Sequence, residues 1–154
     1  MTIQQLKLGD SASHSKTISE TDVYLFAGIT GDLNPAHVNE SVASASRFGG
    51  RIAHGILSAG LISAVLAMQL PGPGTIYLGQ ELKFTRPVRF GDTITATFEV
   101  VKKGEEVTKP DGTVKFSPGR IVMKATAVNQ RGEVVVEGEA CSMAAREKVD
   151  CSRF

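Results

Sequence analysis

Two side chains of complementary acid–base chemistry lie five residues apart in one short segment. Asp32 and His37 flank the tetrapeptide 33–36, in which Pro35 disfavours a helical backbone at Asn34. In ordinary peptides the pKa of an aspartate carboxyl group is about 3.9 and that of an imidazole is about 6.5. The two groups can therefore serve as base and acid around neutral pH. The spacing alone also fits two solvated loop residues, and the restricted loop is what favours a site here.

A second candidate is the pentapeptide 51–55, Arg-Ile-Ala-His-Gly, which directly precedes a long apolar run. Gly55 is predicted to lie in the first turn of a helix, where its N–H has no intrahelical acceptor and the helix dipole is positive. Glycine also lets a ligand atom come close to the backbone. These are the properties of a one-donor oxyanion site, although a glycine at a loop–helix junction fits as well. His54 is predicted to cap the helix, to fill space or to take part directly.

The elements that must position these residues begin with a helical first half. Residues 12–18 read as a short strand, and Ser19 then has the chemistry of an N-cap. Gly31 is placed to end the helix that Ser19 starts. The segment 32–37 is predicted to be irregular or extended, and residues 40–47 to form a small helix before Gly49-Gly50.

The sixteen residues that follow His54, up to Leu70, carry no charge. A helix that is apolar on all sides is predicted to be buried. The alternative, a membrane span, needs about 20 apolar residues and fits poorly with the serines and the Pro71-Gly72 stop. The sequence therefore predicts one long buried helix.

The second half of the chain changes to a period of two, which is typical of strands. Residues 105–118, with Pro-Asp-Gly and Ser-Pro-Gly inside them, are predicted to be a long exposed hairpin connection. Together with 12–18 this gives about five strands with short links, hence an α+β domain whose mainly antiparallel sheet wraps around the buried helix. The predicted strands of this half are 75–86, 93–100, 119–128 and 133–143.

Length and charge narrow the class of protein. A chain of 154 residues with 42% hydrophobic and 21% charged residues fits one globular domain over 1–154, with a core of about 5–145 and a tail of 146–154. A net charge of +1 argues against a dedicated nucleic-acid binder. Two cysteines, Cys141 and Cys151, are too few for a disulfide framework, and no secretory leader is visible, so a cytoplasmic location is expected.

The motifs together resemble one family, the MaoC-like (R)-specific enoyl-CoA hydratases, over residues of about 5–145. The resemblance is carried by Asp-Leu-Asn-Pro-Ala-His at 32–37, Arg-Ile-Ala-His-Gly at 51–55, Tyr-Leu-Gly at 77–79, Phe-Thr-Arg-Pro-Val at 84–88 and Gly-Asp at 91–92. It implies a hot-dog fold, in which a sheet wraps one central helix. It also implies that Asp32 and His37 are the catalytic pair and that the Gly55 N–H holds the thioester carbonyl.

The resemblance further implies the reaction. Water adds to C3 of a 2-enoyl thioester of short to medium chain length, with Asp32 as base and His37 as its partner, to give a (3R)-hydroxyacyl product. No metal or redox cofactor is expected, and coenzyme A enters only as part of the substrate. The chain departs from the family at Ala36, at Asn39 and in a longer connection at 104–120, which bears on substrate length and the pocket rim.

Further substrate-binding residues are predicted from the helix register and from charge. Positions three and four apart from Gly55 share a face, and either line an acyl channel or belong to the ordinary core. Arginines and lysines near the motifs are candidates for the phosphates of coenzyme A, or are solvated surface residues. The predicted substrate-binding residues are Asn34, Ala59, Ile62, Ser63, Leu66, Arg51 and Arg86, with Arg47, Lys83 and Arg89 as further candidates for phosphate contacts.

Three alternatives remain open at this point. A thioesterase of the same fold would attack the carbonyl carbon rather than C3. A non-catalytic acyl-thioester-binding protein or dehydratase subunit would bind without reacting. An acyl carrier protein could replace coenzyme A as the carrier. In each case the partners expected are the acyl thioester and a second copy of the chain, in a homodimer or a higher oligomer, with neither nucleic acid nor membrane.

Overall fold

A computed structural model describes residues 1–147 and 149, with the side chains of 105–107 and 114–116 excepted. The predicted tail 146–154 lies largely outside the described residues, and Cys151 wholly so. The elements follow in the order predicted, with a helical first half and a strand-rich second half. They are β1 (Ser11–Thr17), α1 (Glu20–Thr30), α2 (Pro35–Val38), α3 (Glu40–Ser44), α4 (Gly55–Met68), β2 (Ile76–Phe84), β3 (Thr93–Thr108), β4 (Val114–Val128) and β5 (Val134–Met143).

The five strands form one antiparallel sheet in the order β1-β3-β4-β5-β2. The period-two pattern sets which side faces inward, since alternate residues of a strand lie on one face. Ile94, Ala96 and Phe98 of β3 are therefore fully buried, and Met123 and Ala125 of β4 lie beside them. The α+β architecture predicted from the sequence is confirmed.

Helix α4 packs its apolar side against this sheet. Ile62, Val65 and Leu66 are buried in the same hydrophobic core as the strands. Burial of each such side chain stabilises the fold by about 1.5–3 kcal/mol. The helix is not buried on every side, however, because Ile56 is 48% and Met68 71% exposed. The prediction that the helix is buried on all sides is therefore wrong. A single sheet covers only one side of a helix, and only the side of α4 that faces the strands is buried.

The connection between β3 and β4 is shorter than predicted. Residues 105–108 and 114–118 continue the two strands, and only 109–113 turn between them. The pairing shifts register between Lys103 and Glu105, opposite the stretch that holds Pro118. An irregularity of this kind is where a strand accommodates a proline, so Pro118 does not end β4 as its local signal suggested.

Membrane-spanning helices were also sought in the described part of the chain. None of its helices combines the length and the apolar character that crossing a bilayer requires.

Candidate active site

The loop that carries Asp32 is defined by the helix before it. The Ser19 side chain accepts a hydrogen bond from the Asp22 N–H, and the Asp22 carboxylate accepts one from the Ser19 N–H. The two bonds together start α1 as predicted. Gly31 ends the helix at φ 77°, with its N–H donating to the Ala27 carbonyl at 2.8 Å. This left-handed position, which favours glycine, directs the chain into Asp32.

Hydrogen bonds between residues two positions apart then shape the loop. Asp32 Oδ1 accepts from the Asn34 N–H at 3.2 Å, and Asn34 Oδ1 accepts from the Ala36 N–H at 3.0 Å. The second contact makes Asn34 the N-cap of α2, with Pro35 as its first residue. The prediction that 32–37 is irregular throughout is therefore wrong for its second half. Proline is favoured at a first helical position, because no hydrogen bond of its N–H is needed there.

His37 is held at the end of this turn by the chain that approaches α4. Its Nδ1 lies 2.8 Å from the Ile52 carbonyl oxygen, which can only accept, so Nδ1 is the nitrogen that carries hydrogen. In the neutral ring Nε2 is then the nitrogen with a free lone pair. The fold thus presents Nε2 of His37 as an acceptor.

His54 lies beneath the pair and touches both of its members. Its side chain is 1% exposed, and its Nε2 donates to the Asp32 carbonyl oxygen at 2.9 Å. Its ring stacks on that of His37 with 3.8 Å between centroids, and Phe26 packs on it at 4.9 Å. His54 is the N-cap residue of α4, but its side chain makes no capping hydrogen bond. Its contacts place it as a support of Asp32 and His37.

A carboxylate oxygen of Asp32 and a ring nitrogen of each of His37 and His54 lie within 4.8 Å of one another. A water hydrogen-bonded to two acceptors holds them about 4–5 Å apart, so this spacing fits one water shared by Asp32 and His37. The Asp32 side chain is 50% exposed, which leaves its carboxylate open to such a molecule. Two imidazoles and a carboxylate are also a donor set that transition metals accept.

Gly55 opens α4 beside this cluster. It is exposed, and within the described residues its N–H meets no backbone acceptor. A Cβ at this position would lie 2.9 Å from Cδ1 of Phe84, so only glycine fits against that ring. The predicted oxyanion donor therefore has no backbone acceptor among the described residues and lies at a helix N-terminus. The ring of Phe84 limits the space through which a ligand can reach it.

A cavity of about 480 Å³ adjoins these groups. The first turn of α4 contributes Gly55 and Ser58 to its wall, and His37 reaches it from α2. Two cations, Arg47 and Arg86, lie at its edge. The remaining wall residues are Phe48, Ile52, Ala53, Phe84, Thr85, Pro87, Val88, Val135 and Val136.

The predicted acyl-channel residues are distributed differently from the expectation. Ala59, Ile62 and Leu66 are buried against the sheet and do not line this cavity, and Ser63 is half-buried further along α4. Asn34 serves the loop as a cap. The structure thus places His37 and Gly55 in the cavity wall and Asp32 next to His37, whereas these five residues lie outside the wall.

The two arginines predicted to bind substrate, Arg51 and Arg86, have different surroundings. Arg51 is engaged by Glu20 at 2.6 Å and by Glu40 at 2.9 Å, and it lies over the ring of Phe90. The pKa of Glu40 is lowered by a hydrogen bond from Ser44 and then by Arg51. Arg51 therefore fastens α1 to α3, whereas Arg86 lines the cavity and donates to the Val134 carbonyl at 3.1 Å.

Several wall residues were missed by sequence reasoning. Ser58 follows Gly55 by three positions, so the helix register could have found it. Phe84 lies in a motif that carried the family resemblance. Val135 and Val136 of β5 come from about 80 residues further along the chain, and only the sheet order brings them to α4.

Comparisons with known proteins identify the family of this chain. The model of the MaoC like domain matches residues 5–118. The chain belongs to the MaoC-like family. An (R)-specific enoyl-CoA hydratase from Rhodospirillum rubrum is 51% identical over 91% of this chain and 89% of its own length. A 3-hydroxybutyryl-CoA dehydratase from Methylorubrum extorquens is 42% identical over 89% of this chain and 80% of its own.

Solved structures of this family have the same fold. The R-hydratase PhaJ1 from Pseudomonas aeruginosa, in its unliganded form, superposes with a TM-score of 0.83 at 42% identity, covering 99% of this chain and 92% of its own. The (R)-hydratase from A. caviae, described as involved in PHA biosynthesis, gives 0.80 at 36% identity, with 92% and 98% covered. The hot-dog fold implied by the sequence motifs is confirmed.

Proposed function

We infer that this MaoC-like chain is an (R)-specific 2-enoyl-CoA hydratase, which adds water reversibly to a trans-2-enoyl-CoA to give a (3R)-hydroxyacyl-CoA. The observation that carries this inference is that a carboxylate oxygen of Asp32 lies within 4.8 Å of a ring nitrogen of His37, and that His37 lines the same cavity as Gly55. The (R)-specific relative at 51% identity supports the same reaction and its stereochemistry.

The chemistry begins with the shared water. The Asp32 carboxylate and Nε2 of His37 both accept hydrogen bonds from this water, which fixes its oxygen toward C3 of the enoyl group. As the C3–O bond forms, one water proton passes to this pair. C2 of the resulting enolate requires one proton, and the pair returns the proton it received. Water addition is thereby balanced by a single water molecule, and dehydration runs through the same groups in reverse.

Charge develops on the thioester oxygen during the attack on C3. The Gly55 N–H and the dipole of α4 stabilise that charge, because both are fixed before the substrate arrives. One donor of this kind lowers a barrier by about 3 kcal/mol. The proposed steps include neither a metal nor a redox cofactor.

The carrier is coenzyme A in this proposal. Arg47 and Arg86 give the cavity edge positive charge although the chain as a whole is near neutral. In this proposal they contact phosphate oxygens of the nucleotide end. A plant mitochondrial relative at 30% identity is named as a 3-hydroxyacyl-[acyl-carrier-protein] dehydratase, so a carrier protein is the second candidate. Its phosphopantetheine arm would enter the same cavity.

A homodimer completes the proposal. Strand β2 lies at one edge of the sheet, where Ile76 and Leu78 are exposed. Ile56 and Met68 of α4 are exposed as well, and so much uncovered apolar surface favours contact with a second copy of the chain. Sedimentation equilibrium tests this: a mass of twice 16.3 kDa or a higher multiple agrees, and a monomer contradicts it.

The short- to medium-chain specificity, the role in fatty acid metabolism and the cytoplasmic location are proposed with the activity. The size of the cavity, about 480 Å³, supports the specificity for short to medium chains, since an acyl chain must fit beside the thioester. Activity on crotonyl-, hexenoyl- and dodecenoyl-CoA, with a decline at the longest chain, is the matching test.

The function is tested by mixing the protein with crotonyl-CoA and following the enoyl ultraviolet absorbance and free thiol together. Loss of absorbance without thiol release is the result expected. Thiol release would instead indicate a thioesterase, and neither signal would indicate a binding protein. Repeating the assay with crotonyl-acyl carrier protein compares kcat/KM for the two carriers.

A further inference from the structure

Ser58 is a buried hydroxyl that the mechanism above does not use. Its residue is 1% exposed, yet in the part of the chain that the structure describes its Oγ has no hydrogen-bond partner. A buried polar group without a partner is destabilising, so such groups in folded proteins call for an explanation.

The position of Ser58 supplies that explanation. It lines the same cavity as His37 and Gly55, one turn along α4 from the oxyanion donor. Side chains of a helix lean toward its N-terminus, so the Ser58 hydroxyl leans toward the turn that begins with the Gly55 N–H. Ser58 and Gly55 therefore belong to the same part of the cavity wall.

We propose that the Ser58 hydroxyl is a second hydrogen-bond donor to the thioester oxygen of the substrate. This rests on the proposed hydratase function and adds a residue to it. An enolate oxygen accepts more than one hydrogen bond, and the backbone of Gly55 provides a single N–H. The Ser58 hydroxyl gains a partner when substrate binds and gains most as charge builds on the oxygen, so its effect is expected mainly in kcat.

The chain contains a matched control. Ser142 of β5 is also fully buried, and its Oγ likewise lacks a partner among the described residues, but it does not line the cavity. Ser58→Ala and Ser142→Ala each remove one unpaired hydroxyl. If burial alone mattered, the two substitutions would act alike.

The first test compares hydration of crotonyl-CoA by the two variants. Ser58→Ala is expected to lower kcat by about 10- to 100-fold with little change in KM, and Ser142→Ala to leave both unchanged. The melting temperatures of both variants are expected to equal or exceed that of the wild type. Ser58→Cys, which keeps the size but has a weaker donor, should fall between serine and alanine. Wild-type kcat in Ser58→Ala overturns the proposal.

The second test measures the bond to oxygen directly. The Asp32→Asn variant is expected to bind crotonyl-CoA with almost no hydration, and in this background the infrared carbonyl stretch of the bound thioester reports hydrogen bonding. Adding Ser58→Ala is expected to raise that frequency, and adding Ser142→Ala to leave it. An unchanged frequency in the Ser58 variant overturns the assignment even if kcat falls. Failure of the hydratase function itself would appear separately, as a wild-type protein that does not hydrate crotonyl-CoA.

Discussion

Two polar regions of this molecule are buried to a similar depth but differ in how fully their polar groups are hydrogen-bonded. At the start of β3, Asp92 accepts hydrogen bonds from the Arg89 N–H, the Gln130 side chain and Arg131, at 2.8, 2.8 and 3.0 Å. At the start of α4, His54 Nδ1 and Ser58 Oγ are buried and lack partners among the described residues. We call these regions the Asp92 corner and the α4 start.

The difference indicates what each region is for. In the Asp92 corner burial alone would raise the pKa of the carboxyl, but hydrogen bonds from Arg89, Gln130 and Arg131 outweigh it and lower the pKa. A fully paired cluster stabilises the fold and has little left to offer a ligand. The α4 start keeps unpaired groups next to a cavity, at some cost in stability, which is characteristic of a functional site.

The largest expected effect lies beside the α4 start. Asp32→Asn and His37→Asn are each expected to reduce hydration of crotonyl-CoA by at least about 100-fold, because the shared water loses its base or its orientation. The Asp32 side chain is half exposed, so its replacement should shift the melting temperature little. Asp10→Asn, an exposed carboxylate that accepts from the Lys7 N–H, is the control and should retain full activity. Near-normal turnover by a folded variant of Asp32 or His37 would remove the site assignment.

Gly55→Ala tests the wall of the same site. The added Cβ meets Phe84 at 2.9 Å, which forces the ring or the helix start to move. We expect a loss of about 10- to 100-fold in kcat/KM, since small displacements of a positioned donor are costly. Gly28→Ala in α1 is the matched change, because its Cβ would meet nothing within 4 Å. That variant should stay fully active, and equal losses in both would show that the effect is not local to Gly55.

The Asp92 corner is expected to respond in stability. Asp92→Asn should lower the free energy of unfolding by about 1–3 kcal/mol, because the charged acceptor of three hydrogen bonds is lost. Turnover well below the melting temperature should persist. Urea unfolding checks this, with Asp111→Asn as the control, since Asp111 is exposed and accepts from the Thr113 N–H within its own turn. A loss of turnover in a fully folded Asp92 variant would contradict the separation of the two regions.

The same carboxylate predicts a pH dependence. The pKa of Asp92 is lower in the folded state than in the unfolded chain, so its contribution is complete above the ordinary value of about 3.9. It is lost as the pH falls through the lower pKa of the folded state. Wild-type stability should therefore fall more steeply below about pH 4 than that of Asp92→Asn. Parallel curves would show that Asp92 does not contribute in this way.

The smallest expected effect is that of metal removal. Asp32, His37 and His54 could together approach a cation, but His54 Nε2 is already engaged with the Asp32 carbonyl. Dialysis against EDTA is expected to leave kcat unchanged. A loss of activity that added Zn²⁺ or Mn²⁺ restores would contradict the metal-free mechanism.

The sequence was informative where local signals agree with the tertiary structure. Ser19 and Gly31 mark the ends of α1 by capping chemistry alone, and the strand predicted at 133–143 agrees with β5. Pro118 misled because its local signal indicated a loop, whereas pairing with β3 carries the strand past it. Burial of α4 was overestimated because hydrophobicity does not tell which side the sheet covers.

The candidate site was predictable in part, again because local signals in the sequence mark some of its residues. Asp32, His37 and Gly55 lie in two short motifs, and the resemblance drew attention to them together. Arg51 was predicted to contact phosphate, but Glu20 and Glu40 surround it, which spacing in the sequence does not show. Val135 could not be placed in the wall without the sheet order, because its neighbours there are distant in the chain.

The most direct test of the central claim, that Asp32 and His37 add water to an enoyl thioester, is the product formed from crotonyl-CoA. The wild-type protein is predicted to consume the enoyl absorbance, release no thiol and yield 3-hydroxybutyryl-CoA of R configuration, and Asp32→Asn to yield almost none. Free coenzyme A as the product, an S configuration, or equal yields from the two proteins would contradict the account.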